Sequence, residues 1–179
     1  GIIAGRADLV DKIRRNPMKR ALRLDKMTIA ALSAVLRLYG DPDRLAERVP
    51  ALKLLSRSAH DIEQAAHRIV PSVAAVLEGV AAVDVVAAKS QIGSGALPTD
   101  LLPSAAIRMT PPGAKRKVGA AARRLAAAFR ALPVPVVGRI DDGGFVLDLR
   151  CLDDEAGFVD QLSGLPEALA AAEGQEQGK

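Results

Sequence analysis

The chain has 179 residues, 49% hydrophobic and 26% charged, which is enough to bury a core in one domain or in one domain and part of another. Its single cysteine, Cys151, excludes an internal disulfide and a multi-cysteine metal site, and it indicates a reducing, cytoplasmic compartment. No apolar run approaches the length of a membrane span. The net charge of +4 suits an anionic partner, whereas an aromatic content of only 2% argues against recognition by base stacking.

The first half of the chain is predicted to be mainly helical. An apolar run over residues 1–5 has the composition of a buried strand, and a helix is expected over 6–15. Apolar residues spaced three and four apart then predict a long amphipathic helix over 18–39 and a second one over 52–76. We expect the second helix to break at Pro71, because an interior proline removes a helical hydrogen bond.

The second half is predicted to mix strands and helices. The clearest signal is a β-hairpin, since two alternating segments, 136–140 and 145–151, flank the turn residues Asp141-Asp142-Gly143-Gly144. The apolar face of the second arm ends at Cys151, which we therefore expect to be a buried structural thiol. The other predicted elements, in order, are a strand around 83–86, a loop over 90–95, a strand over 105–110, a helix over 118–132, a helix over 154–162 and a fraying tail from 164.

Basic residues are densest between residues 11 and 26, where seven basic residues face two acidic ones and give a local charge of +5. Arg20 and Arg23 are three apart, so on the predicted helix they would be neighbours on one face. Two guanidinium groups on one face can bind a phosphate or a carboxylate bidentately. From spacing alone, a solvated helix face is the commoner explanation of such a pair.

Other candidate sites have weaker signals. The 90–95 loop offers backbone N–H groups and small side chains that let a ligand approach closely, although an ordinary turn has the same composition. His60 and His67 could share a helix face, but no third ligand is patterned near them, so we predict no metal site and expect both near the surface. The residues alone therefore predict a basic α+β domain with a candidate anion site.

Six blocks of sequence, spread over nearly the whole chain, carry a resemblance to one known family. They are residues 1–5 (GIIAG), 16–28 (NPMKRALRLDKMT), 36–39 (LRLY), 90–98 (SQIGSGALP), 132–140 (LPVPVVGRI) and 147–152 (LDLRCL). In this order they resemble the bacterial L-seryl-tRNA(Sec) selenium transferases, also called selenocysteine synthases.

The resemblance implies an α/β transferase of fold type I that depends on pyridoxal 5'-phosphate, with this chain as its C-terminal portion. The implied domains are the end of the large cofactor-binding domain (1–17), a linking helix and connector (18–50), a small α+β domain (51–163) and a flexible tail (164–179). The lysine that forms the Schiff base with the cofactor would lie shortly before Gly1. We therefore expect the chain to be a fragment that is inactive alone.

The implied reaction converts seryl-tRNA(Sec) to selenocysteinyl-tRNA(Sec) with selenophosphate as the selenium donor. The family resemblance also implies a homo-oligomeric ring of dimers in the cytoplasm, with no membrane association. The residues that it implicates are Arg20 and Arg23 in binding the selenophosphate anion, Lys26 in the same block, and Ser90, Gln91, Gly93, Ser94 and Gly95 in a loop that approaches the active site.

Two alternatives stay open from the sequence. The chain could be the small domain of another fold-type-I enzyme, such as an aminotransferase or a cysteine desulfurase, which would carry its own motif around the cofactor lysine. It could also be a non-enzymatic basic domain that binds RNA or a protein. The sequence upstream of Gly1 would distinguish the three, because each fold-type-I enzyme has its own motif around the cofactor lysine, whereas a start codon immediately before Gly1 would favour the non-enzymatic domain.

Overall fold

The computed structural model describes residues 3–91, 101–113 and 115–177. The chain divides into two compact units, Gly1–Leu52 (unit 1) and Lys53–Lys179 (unit 2). The sequence places its main boundary two residues earlier, after residue 50. The assignment of residues 1–17 to a larger domain and of 18–50 to a linker stays a prediction.

Unit 1 is made of short helices. In chain order they are α1 (Ala7–Arg15), a 3-10 turn (Pro17–Arg20), α2 (Lys26–Leu38), a 3-10 turn (Pro42–Arg44), α3 (Leu45–Arg48) and α4 (Pro50–Ser56), which spans the boundary between the units. None of the side chains described in residues 3–52 is buried. Leu22 and Met27, for example, are 83% and 81% exposed. The described residues of unit 1 therefore form no apolar core of their own.

The long helix predicted over 18–39 is wrong in its first two turns. The α2 helix begins only at Lys26, because Asp25 forms its N-cap. Asp25 Oδ1 accepts a hydrogen bond from the Thr28 N–H at 2.9 Å, and Oδ2 accepts one from Thr28 Oγ1 at 2.7 Å. These bonds from Thr28 lower the pKa of Asp25. The strand predicted over 1–5 is also absent from its described residues, 3–5, which pair with no other strand in the described ranges.

Unit 2 is built on a four-stranded antiparallel sheet with strand order β1-β2-β4-β3. The strands are β1 (Ala82–Gln91), β2 (Leu101–Thr110), β3 (Arg139–Asp141) and β4 (Gly144–Asp148). The first two pair along their whole length, from Ala82 opposite Thr110 to Gln91 opposite Leu101. On the other side of β2, Ala106 lies opposite Asp148 of β4. The small α+β domain predicted for this part of the chain is confirmed.

Helices α5 (Ala59–Val76), α6 (Lys115–Arg130) and α8 (Leu165–Gln177) supply the helical side of the core of unit 2. Phe129 and Phe145 form its aromatic centre, with ring centroids 5.4 Å apart in a tilted arrangement. The other large, fully buried apolar side chains include Ile62, Ile69, Val73, Leu77, Ile107, Met109, Leu125, Leu162 and Leu165.

Helix α5 continues through Pro71, so the predicted break at this residue is wrong. Pro71 itself is exposed, while Ile69 and Val73 on either side of it are buried in the core. Burial of one large apolar side chain contributes roughly 1.5–3 kcal/mol, and an interior proline costs about 3 kcal/mol. Packing along the whole apolar face of α5 therefore outweighs the missing hydrogen bond.

The β3–β4 hairpin is confirmed, but its arms are shorter than predicted. Its turn places Asp142 at φ 43° and Gly143 at φ 75°, the left-handed conformation that the sequence suggested. The second arm ends at Asp148, whose side chain caps a 3-10 turn over Leu149–Cys151. Cys151 consequently lies outside the strand and is exposed, so the prediction of a buried structural thiol is wrong.

The C-terminal end is more ordered than the sequence indicates. Helix α7 (Glu155–Asp160) is shorter than the helix predicted over 154–162, because the chain tightens into a 3-10 turn over Gln161–Gly164. Helix α8 then occupies most of the predicted flexible tail. Leu165 at its start is fully buried in the core, and α8 packs against α6, so the flexible-tail prediction is wrong through this segment.

Candidate functional site

A cavity of about 510 Å³ in unit 1 is lined by Pro17, Lys19, Arg20 and Arg23. It brings together the two arginines that the sequence selects, and it adds Lys19, which the sequence did not select. Lys26 does not line this cavity, since it lies at the start of α2.

Local turns, rather than a helix, bring the cations to the cavity. Asn16 begins the 3-10 turn, and its side chain accepts a hydrogen bond from the Met18 N–H at 2.9 Å. A second turn follows, in which the Leu22 N–H donates to the carbonyl of Lys19 at 3.1 Å. Arg20 lies in the first turn and Arg23 just after the second. The argument from a shared helical face is therefore wrong, although the two residues do line one cavity.

The cavity is cationic, and the described residues of its lining include no acidic one. The side chains of Lys19, Arg20 and Arg23 form no hydrogen bond or ion pair with any residue in the described ranges. Guanidinium groups are planar forks that bind phosphate and carboxylate groups through paired hydrogen bonds, and a lysine adds a compact third charge. The arrangement fits a small oxyanion. The role of Arg20 and Arg23 in binding one stays a prediction.

The predicted 90–95 loop is only partly within the described residues. Ser90 and Gln91 belong to β1, with Gln91 opposite Leu101, so these two residues are strand and not loop. Ser90 is buried, and its hydroxyl donates to Asp148 Oδ2 at 2.6 Å while it accepts from Arg150 Nε at 3.1 Å. Gly93, Ser94 and Gly95 lie outside the described residues.

Arg150 is the centre of this polar network, and no pattern in the sequence indicates it. The alternating pattern of the hairpin arm places Arg150 on the polar, solvent side of a strand, but the residue is only 5% exposed. Its guanidinium group donates to Ser90 Oγ and, at 2.6 Å, to the carbonyl of Pro103. Asp148 accepts hydrogen bonds from Ser90, Ser104 and the Arg150 N–H. This network is structural, because its groups are buried or bonded to one another.

The remaining candidates are placed at the surface. His60 and His67 are both exposed on α5, as predicted. Within the described residues, no three histidine, cysteine, aspartate or glutamate side chains are grouped closely enough to hold a metal ion. No helix in the described part of the chain combines the length and apolar character needed to cross a membrane.

Comparison with known proteins identifies relatives along almost the whole chain. A family model described as SelA, L-seryl-tRNA selenium transferase, matches residues 1–153. The L-seryl-tRNA(Sec) selenium transferase of Methylocella silvestris is 50% identical over 171 residues, which are 95% of this chain and 36% of that protein. The enzymes of the same name from Klebsiella pneumoniae and Rhizobium meliloti are 52% and 51% identical, over 90% and 95% of this chain.

The chain spans about a third of the length of these curated relatives. The family match covers both units, including the cation-lined cavity at Pro17–Arg23 and the sheet of unit 2 as far as the segment after β4. An identity of about half across nearly all of the chain leaves no place for the alternative that this is the small domain of an aminotransferase or a cysteine desulfurase. The chain belongs to the L-seryl-tRNA selenium transferase family.

Proposed function

We propose that the chain is part of an enzyme that converts seryl-tRNA(Sec) to selenocysteinyl-tRNA(Sec), with selenophosphate as the selenium donor. The observation that carries the proposal is the cavity lined by Lys19, Arg20 and Arg23, with no acidic residue among the described residues of its lining. The names of the relatives support selenium transfer to seryl-tRNA(Sec), and the cations of the cavity suit an anionic donor.

The residues of this cavity would hold the donor by its phosphate end. Phosphate oxygens are strong hydrogen-bond acceptors, so the forks of Arg20 and Arg23 would bind these oxygens and Lys19 would balance the remaining charge. Selenium is a much weaker hydrogen-bond acceptor, so the cationic side chains would not bind it. In this arrangement the side chains orient the donor so that its selenium is free to react with the serine-derived carbon.

We also propose that the whole enzyme is a fold-type-I protein that uses pyridoxal phosphate. When bound, this cofactor would withdraw electrons and allow the serine to lose its hydroxyl group. The described residues of unit 1 suit an oxyanion and not the pyridoxal ring, because none of their side chains is buried and the one aromatic among them, Tyr39, is half exposed. The ring would therefore need residues other than those that line this cavity.

The partners follow from the same reaction. Both seryl-tRNA(Sec) and selenophosphate are anionic, in keeping with the net charge of +4. A tRNA substrate places the enzyme in the cytoplasm, and the family resemblance suggests a ring of dimers. These assignments concern the whole protein, of which this chain matches about a third of the length of its relatives.

The direct test is to supply the whole protein with seryl-tRNA(Sec) and selenophosphate and to measure selenium on the aminoacyl group. We expect selenocysteinyl-tRNA(Sec) to form, and we expect no product with an ordinary seryl-tRNA or with inorganic phosphate in place of selenophosphate. Binding of tRNA without any selenium transfer would instead favour a non-enzymatic RNA-binding domain.

A further inference from the structure

Helix α6 carries an unusual charge. Its 16 residues include six basic ones and no acidic one. Three of the six occupy the first three positions, 115–117, at the positive end of the helix dipole, where a positively charged residue lowers helix stability. A solvated helix is normally stabilised by oppositely charged residues three or four apart, and α6 contains no such pair. The stability of the helix therefore does not explain this charge.

Arg123 and Arg130 lie on the solvent side of α6. They are two helical turns apart, about 10.5 Å along the axis, and both are exposed. The opposite side, which includes Leu125 and Phe129, is buried in the core. One turn before Arg123 is Gly119, and a Cβ built there would lie 3.9 Å from Arg123 Nη1. The guanidinium group of Arg123 therefore lies beside a residue that has no side chain to cover it.

Neither Arg123 nor Arg130 has a partner among the described residues. No hydrogen bond or ion pair joins either side chain to the rest of the described chain. Arg124, the next residue on the helix, differs because its Nε is 4.0 Å from Glu173 Oε1 of α8. No acidic group in the described residues neutralises these two arginines, so both are available to bind an anionic partner.

We propose that the face of α6 defined by Arg123 and Arg130 binds the phosphate backbone of tRNA. This inference rests on the proposed function, which makes tRNA the substrate, but it concerns a different unit from the cavity at Arg20. Contacts to phosphates position an RNA without reading its sequence, and they need exposed cations rather than aromatic platforms. The described part of this face has exposed arginines and no aromatic side chain, since Phe129 is buried.

The test is the salt dependence of tRNA binding by the whole protein, measured with unacylated tRNA(Sec). Each phosphate neutralised contributes about 0.7–0.9 to the slope of log K against log salt, so Arg123→Gln with Arg130→Gln should lower the slope by about 1.4–1.8. If the two contacts contribute no binding free energy at 1 M salt, this change in slope corresponds to about 14- to 30-fold weaker tRNA binding at 0.15 M salt. The double Lys variant should keep the slope, because phosphate contacts need the charge.

A matched control removes two exposed arginines elsewhere, with Arg37→Gln and Arg139→Gln. This variant has the same net charge and should leave the slope within about 0.3 of the wild-type value. The proposal would be overturned if the slope fell equally in both double variants, or if it did not fall in the variant at Arg123 and Arg130. So would competition by poly-L-glutamate as strong as that by tRNA, which would assign the face to an acidic protein.

Single-turnover selenium transfer at saturating tRNA separates this inference from the proposed function. The Arg123 and Arg130 variant should transfer selenium at the wild-type rate once tRNA is saturating. A wild-type protein that binds tRNA with the predicted slope but transfers no selenium would contradict the proposed function and leave the tRNA-binding face in place.

Discussion

Arg57 and Arg150 each donate a hydrogen bond to the backbone of the other. Nη1 of Arg150 is 3.0 Å from the carbonyl oxygen of Arg57, and Nη1 of Arg57 is 3.0 Å from the carbonyl oxygen of Arg150. Arg150 also donates to the carbonyls of Leu54 and Pro103, and Arg57 donates to that of Leu152 at 2.6 Å. The two side chains therefore join the end of α4, the start of β2 and the turn after β4.

The first prediction concerns the stability supplied by Arg150. Arg150→Ala should lower the free energy of unfolding by about 3 kcal/mol or more, because it removes a buried guanidinium group and leaves several partly buried carbonyls without their donor. Arg150→Lys should recover only part of the loss, since one ammonium group cannot reproduce the fork. Urea unfolding of each variant measures the effect. Arg139→Ala, at an exposed position, is the control and should change the free energy by less than about 0.5 kcal/mol. A cost below about 1 kcal/mol for Arg150→Ala would show that the network adds little.

The second prediction concerns acid stability and the ion pair between Arg68 and Glu155. Arg68 donates to both oxygens of Glu155, at 2.9 and 2.7 Å, and these bonds lower the pKa of Glu155 below its ordinary value of 4.5. The folded state therefore binds fewer protons than the unfolded state near this pH. The stabilisation by the pair is present above about pH 4.5 and is lost as the pH falls through the folded pKa.

Arg68→Gln should therefore be less stable than the wild type at about pH 6, and the difference should shrink towards about pH 3. The effect should be small and should weaken in high salt, because the pair is partly exposed. Unfolding by urea at several pH values measures it, with Arg139→Gln as a control that has no acidic partner in the described residues. A difference that does not change between these two pH values would contradict the assignment.

The third prediction concerns Gly138, where the chain passes close to β4. A Cβ at this residue would lie 2.7 Å from both Leu147 Cδ2 and Phe145 Cε2, and it would also overlap the carbonyl oxygen of Val146. Gly138→Ala should therefore cost about 1–3 kcal/mol of stability. Gly119→Ala, in α6, meets nothing closer than 3.9 Å and should be neutral or stabilising by up to about 1 kcal/mol. Thermal unfolding of the two variants compares them, and equal midpoints would contradict the packing at Gly138.

Local patterns predicted those elements whose residues determine their own conformation. The hairpin turn is an example, because Asp142 and Gly143 accept positive φ whatever surrounds them. Patterns failed where distant contacts decide. Packing of Ile69 and Val73 keeps α5 continuous at Pro71, and the core holds Leu165 at the start of a helix in the predicted tail.

The candidate site shows the same division. The density of basic residues selects Arg20 and Arg23 as candidate anion ligands. The prediction that they share a helical face is wrong, because the N-cap at Asp25 starts α2 only after both residues. Lys19 was missed because only the two turns after Asn16 bring it to the cavity. The burial of Arg150 could not be predicted, because it depends on residues distant in the sequence: its guanidinium group donates to the Ser90 hydroxyl and to the carbonyls of Leu54 and Pro103.

The central claim is that the cations at the unit 1 cavity bind the selenium donor, and single-turnover formation of selenocysteinyl-tRNA(Sec) at saturating tRNA tests it most directly. In the whole protein, Arg20→Ala and Arg23→Ala should each lose roughly 1.5–3 kcal/mol of transition-state stabilisation, about ten- to over a hundredfold in rate. Arg→Lys should recover only part of this loss. Arg14→Ala and Arg15→Ala, at exposed positions of α1, should match the wild type. If both alanine variants at Arg20 and Arg23 fold normally and react at the wild-type rate, the cavity does not bind the donor and the pair is only a charged surface.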